Sequence, residues 1–176
     1  MTNVEKLNQQ LFGERTRLYA ALDGAAVPDL PLKLHEMRPP HVCLYRGELE
    51  PDLAWVAPYL VHLVPDTAFT NWLLAEGWGK HWGIFAHNTG SMVETRKHFR
   101  RFLTVYAEDG KPLLFRYYDP RVLTKFLPTC SDDELKAFFG KVTTYFAESD
   151  DAKSLTSFRL KAGVIEQSSI ELEAAR

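Results

Sequence analysis

Residues 72–85 read WLLAEGWGKHWGIF, and their pattern changes from that of a helix to that of a strand within a few positions. Apolar side chains recur at helical spacing over 67–76, which predicts a helix that ends at Gly77. Beyond the glycines, side chains of alternating character over 80–86 are typical of a strand. A helix that leads directly into a strand favours a fold in which helices pack on a sheet.

The same run holds three of the four tryptophans of the chain. Such a cluster marks either a packed corner of the core or a surface that holds a partner. Helical spacing places Trp72 in the core, and strand parity places Trp82 with Ile84 on one face of the sheet. Trp78 stands between two glycines in the turn and has no local packing reason to be large. We therefore predict that Trp78 is the binding anchor of the run.

The length and composition are typical of one folded domain, with 176 residues, 45% of them hydrophobic and 25% charged. The formal net charge of -2 argues against a general electrostatic attraction to nucleic acid or to an anionic membrane. No secretory signal is visible, and no apolar stretch is long enough to span a bilayer. We expect a cytoplasmic protein whose two cysteines, Cys43 and Cys130, are reduced thiols.

The strongest turn signal is Asp109-Gly110, between predicted strands at 104–106 and 113–117. Asp-Gly between such runs is typical of a β-hairpin, so part of the sheet should be antiparallel. We predict an α+β fold, a single domain with a mixed, partly antiparallel sheet flanked by helices, and a division into two lobes stays open. The other predicted strands are 18–22, 42–45, 59–64, 142–147 and 155–160. The other predicted helices are 4–12, 48–56, 91–102, 120–127 and 131–139.

The glycines and histidines of the central run do not form a motif for a nucleotide or a metal. Gly77, Gly79 and Gly83 follow a helix and precede a strand, which is the reverse of the order in a dinucleotide site. They indicate a structural turn. His81 and His87 lack further ligands at metal-binding spacing, so we predict neither a metal nor a cofactor.

An enzymatic function is one alternative. Asp23 ends a predicted central strand, where an open sheet can place a catalytic carboxylate, but Asp23-Gly24 is also a simple turn dipeptide. The alternative is a small hydrolase or transferase that uses Asp23, His81 and Asp119, provided that folding brings the three side chains together.

A nucleic-acid-binding module is a second alternative, and it rests on the predicted helix at 91–102. The basic residues of that helix are Arg96, Lys97, His98, Arg100 and Arg101. A row of cations can bind a phosphate backbone. The same row also serves as the solvated outer face that a surface helix needs, and this is the interpretation that we favour.

Residues 116–121, RYYDPR, join a predicted strand to a predicted helix. Arginine and tyrosine are the side chains that most often anchor protein interfaces. Against this, Asp119 is well placed to cap the helix, while Arg116 can pair with a carboxylate of the sheet. Both interpretations stay open.

Five stretches together resemble a known family. They are 19–25 (YAALDGA), 43–49 (CLYRGEL), 57–61 (APYLV), the run at 72–85, and 113–123 (LLFRYYDPRVL). In this order they resemble the adaptor domain, long catalogued as a domain of unknown function, that acts as an effector chaperone in bacterial type VI secretion. The resemblance covers roughly residues 17–147.

The resemblance implies a cytoplasmic protein that is not an enzyme, binds a toxin effector and helps to load it onto the VgrG spike or its tip. It gives no catalytic residues to carry over, while the motifs and the net charge argue against a cofactor, a metal, and a membrane or nucleic-acid partner. The matched segments give the candidate partner-binding residues, which are Trp78, Lys80, His81, Trp82, Arg116, Tyr117, Tyr118, Asp119 and Arg121. We expect an effector-adaptor domain at 1–147 and a short C-terminal extension at 148–176, with a final strand and a frayed tail.

Overall fold

The computed structural model describes residues 1–172. The helices are α1 (Asn3–Leu11), α2 (Leu30–Met37), α3 (Pro51–Val56), α4 (Ala68–Gly77), α5 (Met92–Arg100), α6 (Pro120–Phe126) and α7 (Asp132–Phe139), with a 3-10 helix at Leu127–Thr129. The strands are β1 (Arg17–Asp23), β2 (His41–Cys43), β3 (Pro58–Leu63), β4 (Gly83–Asn88), β5 (Thr104–Tyr106), β6 (Pro112–Leu114), β7 (Val142–Glu148), β8 (Ser154–Lys161) and β9 (Val164–Glu171). Within the described residues, no helix is long and apolar enough to cross a membrane.

Seven strands form one sheet in the order β2-β3-β1-β4-β7-β8-β9, and β5 and β6 form a separate hairpin. The predicted α+β domain, with helices around a sheet, is confirmed. The sheet was predicted to be mixed, but every strand pair described for residues 1–172 is antiparallel. Neighbouring strands run in opposite directions even where helices separate them in the sequence.

β1 lies inside the sheet and has helices on both faces. Tyr19 and Ala21 point into a core that α5, α6 and α7 cover. Leu18, Ala20 and Leu22 point into a second core, formed with α1, α2 and α4. Because both faces are buried, the strand is apolar at nearly every position. Both layers of helices share one sheet, so the chain forms a single domain.

Several loops meet at one end of the sheet, which we call the Asp23 end. β1 ends there with Asp23, opposite Pro58 at the start of β3, and β4 begins there with Gly83. β7 also ends there, with Glu148 opposite Leu155 of β8. The α4–β4 turn, the β7–β8 turn and α3 therefore all lie at the Asp23 end.

The C-terminal residues differ most from the prediction. The tail predicted to fray was 165–176, but its residues 165–171 belong to β9, which pairs along its whole length with β8. Their polar sequence hid the strand because β9 lies at an edge, where most side chains face water. The predicted division after residue 147 falls inside β7, and β8 and β9 continue the same sheet. The end of the predicted tail, 173–176, lies outside the described residues.

Candidate functional site

Both segments that the sequence offered for binding, the turn at 77–83 and the junction at 116–121, lie at the Asp23 end. The backbone N–H of Asp23 donates to the carbonyl oxygen of Trp82 at 2.8 Å. The Arg116 guanidinium donates to Oδ2 of the same buried aspartate, 93 positions away in the chain. Asp23 thus links the two segments.

The α4–β4 turn is fastened to the carboxylate of Glu148. Oε2 accepts the backbone N–H of Gly79 at 2.6 Å, and Oε1 accepts the backbone N–H of His81. Oε1 also lies 3.0 Å from Nδ1 of His81. Glu148 is only 6% exposed, and this burial raises the pKa of its carboxyl above the ordinary value, although the contacts with Gly79 and His81 oppose the shift.

Trp78 has a packing role, so the prediction that it lacks one is wrong. Its Nε1 donates to the carbonyl oxygen of Ala152 in the β7–β8 turn at 2.9 Å, and its ring packs against the core beneath α1, α2 and α4. Trp82 is buried beside Trp72, with 5.3 Å between ring centroids. A Cβ atom on Gly77 would lie 2.7 Å from the Trp82 ring. The tryptophan run is therefore a packed corner of the domain.

The junction at 116–121 is largely structural. Tyr117 and Tyr118 are buried, and the Tyr117 hydroxyl donates to the carbonyl oxygen of Phe99 at 2.8 Å. Asp119 caps α6 and accepts two hydrogen bonds from the Arg121 guanidinium, at 3.0 and 2.7 Å. Burial raises the pKa of Asp119, but the bonds from Arg121 outweigh it and hold that pKa below its ordinary value. The structural interpretation of the junction, with a helix cap and an arginine paired to the sheet, is confirmed.

The predicted partner-binding residues divide by exposure. Trp82, Tyr117, Tyr118 and Asp119 are buried, and so they do not form a surface for a partner in this structure. Trp78 and His81 are half-buried, and Lys80, Arg116 and Arg121 are exposed. The burial of these four predicted residues has one physical cause. Large or charged side chains that suit a protein interface also suit a corner of the domain where distant loops meet.

The three residues of the enzymatic alternative have separate partners. Asp23 pairs with Arg116, Asp119 pairs with Arg121, and His81 pairs with Glu148. Over the described part of the chain, no hydrogen bond joins any two of the three. Folding therefore does not assemble them into one hydrogen-bonded group of the kind that proton transfer needs.

The β5–β6 hairpin, which the sequence predicted as a hairpin without indicating its exposure, has apolar side chains on both of its faces. Val105 lies opposite Leu113, and the next positions along each strand point to the other face. Every residue of both strands is exposed, with Tyr106 at 73% and Leu113 at 50%. The sequence did carry a signal. Leu113 and Leu114 are adjacent, and adjacent strand residues cannot both face one core.

The hairpin is rooted at the Asp23 end. Before it, Arg100 donates to the three carbonyl oxygens of residues 43–45, each at 2.9 Å. After it, Arg116 pairs with Asp23. Two arginines therefore fix the base of the hairpin, while every residue of its two strands is exposed.

Helix α3 is a second exposed apolar element at this end. It connects β2 to β3, and none of its residues is buried. Leu53, Trp55 and Val56 are all exposed. The backbone N–H of Gly24 donates to the carbonyl oxygen of Ala57 at 3.1 Å, which ties the end of α3 to the end of β1.

Residues 18–137 match a family model described as a domain of unknown function, DUF4123. The chain belongs to the DUF4123 family. The match confirms a domain of unknown function and carries no statement about type VI secretion. No curated protein and no solved structure matches the chain. The DUF4123 match runs from β1 to α7, so it includes Asp23 and the β5–β6 hairpin but not Glu148.

In this DUF4123 domain, part of the basic row on α5 has structural partners. Arg100 was expected to face solvent, but its guanidinium binds the carbonyl oxygens of residues 43–45. Nε2 of His98 lies 2.7 Å from the carbonyl oxygen of Phe138, and burial lowers the pKa of His98, so the ring is neutral at pH 7. Lys97 and Arg101 are the exposed cations of the row. The surface available to a phosphate backbone is smaller than the sequence indicated.

Proposed function

We propose that this protein is an effector chaperone of bacterial type VI secretion. It binds a toxin effector in the cytoplasm and helps to load that effector onto the VgrG spike, and it is not an enzyme. The resemblance of five segments to such adaptors suggests the role. The observation that supports it best is the β5–β6 hairpin with apolar side chains exposed on both faces.

A two-stranded hairpin of this length gains little stability by itself in water. Val105, Tyr106, Leu113 and Leu114 leave apolar area in solvent on both sides of it. Exposed apolar patches of this kind are typical of surfaces that a protein partner covers. Tyr106 has the further property of an interface anchor, since a tyrosine offers a large ring and a polar tip at little entropic cost.

The setting of the hairpin suits a protein partner. Helix α3 presents Leu53, Trp55 and Val56 at the same end of the sheet, so a single effector can contact both elements. Arg116 and Arg121 have side chains that are about half exposed, 48% and 52%, and they provide a polar rim beside the apolar patch. The buried tyrosines and ion pairs of the junction fix the base of this surface, which lowers the entropic cost of binding there.

The proposal is tested by co-expressing the chain with the toxin and the VgrG protein encoded beside its own gene. We expect the toxin to co-purify with the chain and VgrG to join the complex when the toxin is present. An unrelated soluble toxin domain of similar size, expressed in the same way, is the control and should not bind. If neither neighbouring product binds the wild-type chain, the adaptor function is ruled out.

A further inference from the structure

We propose that a second copy of this chain pairs with β9, so that the protein forms a dimer through the free edge of its sheet. β9 is the last strand in the sheet order, and on its outer side the described chain provides no neighbour. An edge strand presents a row of unpaired N–H and C=O groups to any strand of suitable shape. The proposal is independent of the adaptor function.

The two edges of the sheet differ. β2, at one edge, has three residues, which is one common way to keep an edge from pairing. β9, at the other, has eight residues, VIEQSSIE, with no proline, glycine or lysine among them. Val164 is 66% exposed, although it is an apolar residue in a regular strand. This edge carries two carboxylates, Glu166 and Glu171, but it lacks a proline, a lysine and a β-bulge, which are other features that prevent pairing.

The sequence of β9 is complementary to itself in one register. When two copies of a strand pair antiparallel about a two-fold axis, the residues opposite each other must point to the same face of the sheet. With Gln167 on the axis, Val164 of each copy lies opposite Ile170 of the other, and Glu166 lies opposite Ser168. Two apolar pairs form, and no like charges face each other.

The neighbouring registers fit poorly. With Ser168 on the axis, Ile165 faces Glu171 and Glu166 faces Ile170, so both isoleucines meet a carboxylate. With Glu166 on the axis, two carboxylates face each other, which is destabilising. Charge and hydrophobicity therefore select the register centred on Gln167, and they favour a second copy of this chain over an unrelated strand. In the resulting dimer the two Asp23 ends point in opposite directions, because the paired strands are antiparallel.

The test is sedimentation of the purified full chain over a range of concentrations. We expect a concentration-dependent dimer for the wild type. Val164→Asp places a carboxylate opposite Ile170 at two places in the dimer, and it should weaken dimerisation at least about ten-fold while the exposed site leaves folding intact. Asn71→Asp, at an exposed position of α4, is the control and should leave the dimer unchanged.

A charge pair at residue 167 tests the register itself. Gln167→Lys and Gln167→Glu each place like charges on the axis and should each weaken dimerisation about five-fold. An equimolar mixture of the two variants should restore it, because Lys then faces Glu. The proposal is overturned if the wild type stays monomeric at every concentration up to about 100 µM, which corresponds to a dimer free energy weaker than about -5.5 kcal/mol. It is also overturned if Val164→Asp leaves the dissociation constant of the dimer unchanged. The register is overturned if the mixture associates no better than either variant alone.

Discussion

Replacement of Glu148 by alanine is expected to lower the free energy of unfolding by about 3 kcal/mol, because two backbone N–H groups lose a shared acceptor. Those groups belong to Gly79 and His81, in a turn whose backbone has positive φ at both residues. No other acceptor is described for them in residues 1–172, and the tryptophan corner packs directly on this turn. Urea denaturation at constant pH measures the change. An unaltered slope of the unfolding free energy against urea concentration would show that the unfolded state is the same.

The matched variants separate the hydrogen bonds from simple loss of charge. Glu148→Gln keeps one carbonyl acceptor and should lose about half as much stability. Asp150→Ala, two positions away and exposed, should change stability by less than about 0.5 kcal/mol. If Glu148→Ala unfolds at the same urea concentration as the wild type, the turn does not depend on this carboxylate.

The loss of stability in Glu148→Ala should depend on pH, and the raised pKa of Glu148 fixes the direction of that dependence. Burial raises the pKa of folded Glu148 above the unfolded value, so the folded state binds the proton more tightly. The proton-linked part of the contribution of Glu148 to stability is therefore full below the unfolded pKa and is lost as the pH rises through the folded pKa, while the hydrogen bonds from Gly79 and His81 remain. Alanine removes that dependence, so the stability difference between wild type and Glu148→Ala should be larger near pH 4 than near pH 7.

If the hairpin binds the proposed effector, substitutions in it should weaken effector binding strongly without unfolding the domain. Tyr106→Ala and Leu113→Asp are each expected to weaken the affinity for the co-purifying toxin by about 100-fold, which is the loss typical of an interface anchor. The domain should stay as stable as the wild type, because both side chains are exposed in the free protein. Calorimetric titration of each variant with the toxin measures the affinity, and urea denaturation measures the stability.

Val93→Asp is the matched control for Leu113→Asp. Val93 is 52% exposed, as Leu113 is 50% exposed, but it lies in the first turn of α5. That turn follows the end of β4 that is remote from the Asp23 end. Val93→Asp should bind the toxin as the wild type does. If Val93→Asp and Leu113→Asp lose the same affinity for the toxin, the loss is a general effect of the added charge. That result would argue against the hairpin as the contact surface.

Local signals in the sequence were sufficient for much of the fold. Gly77 ends α4, Ser131 forms a capping box with Glu134 at the start of α7, and Asp109-Gly110 turns the hairpin. Each of these features depends on residues within a few positions of one another. Hydrophobic period therefore predicted the described helices other than α2, and most of the strands. It gave no element over residues 30–37, where α2 forms, and it failed at β9, an edge strand with a polar sequence.

The candidate site depends on contacts between distant residues, and these the sequence did not reveal. Trp78 meets Ala152 across 74 positions, and Gly79 meets Glu148 across 69. Without the strand order, a tryptophan between glycines suggested a free binding anchor. The hairpin and α3 were predicted as elements, but their exposure was not, because an apolar strand or helix is ordinarily assigned to the core.

Hydrogen exchange of the chain, free and bound to its toxin, tests the role of the hairpin most directly. If the effector covers the hairpin, the amides of residues 104–114 should exchange at least about ten-fold more slowly in the complex, since opening then requires dissociation. The first turn of α5 should exchange at the same rate in both states. Protection confined to other surfaces, with residues 104–114 unchanged in a saturated complex, would contradict the assignment of the hairpin as the effector-binding element.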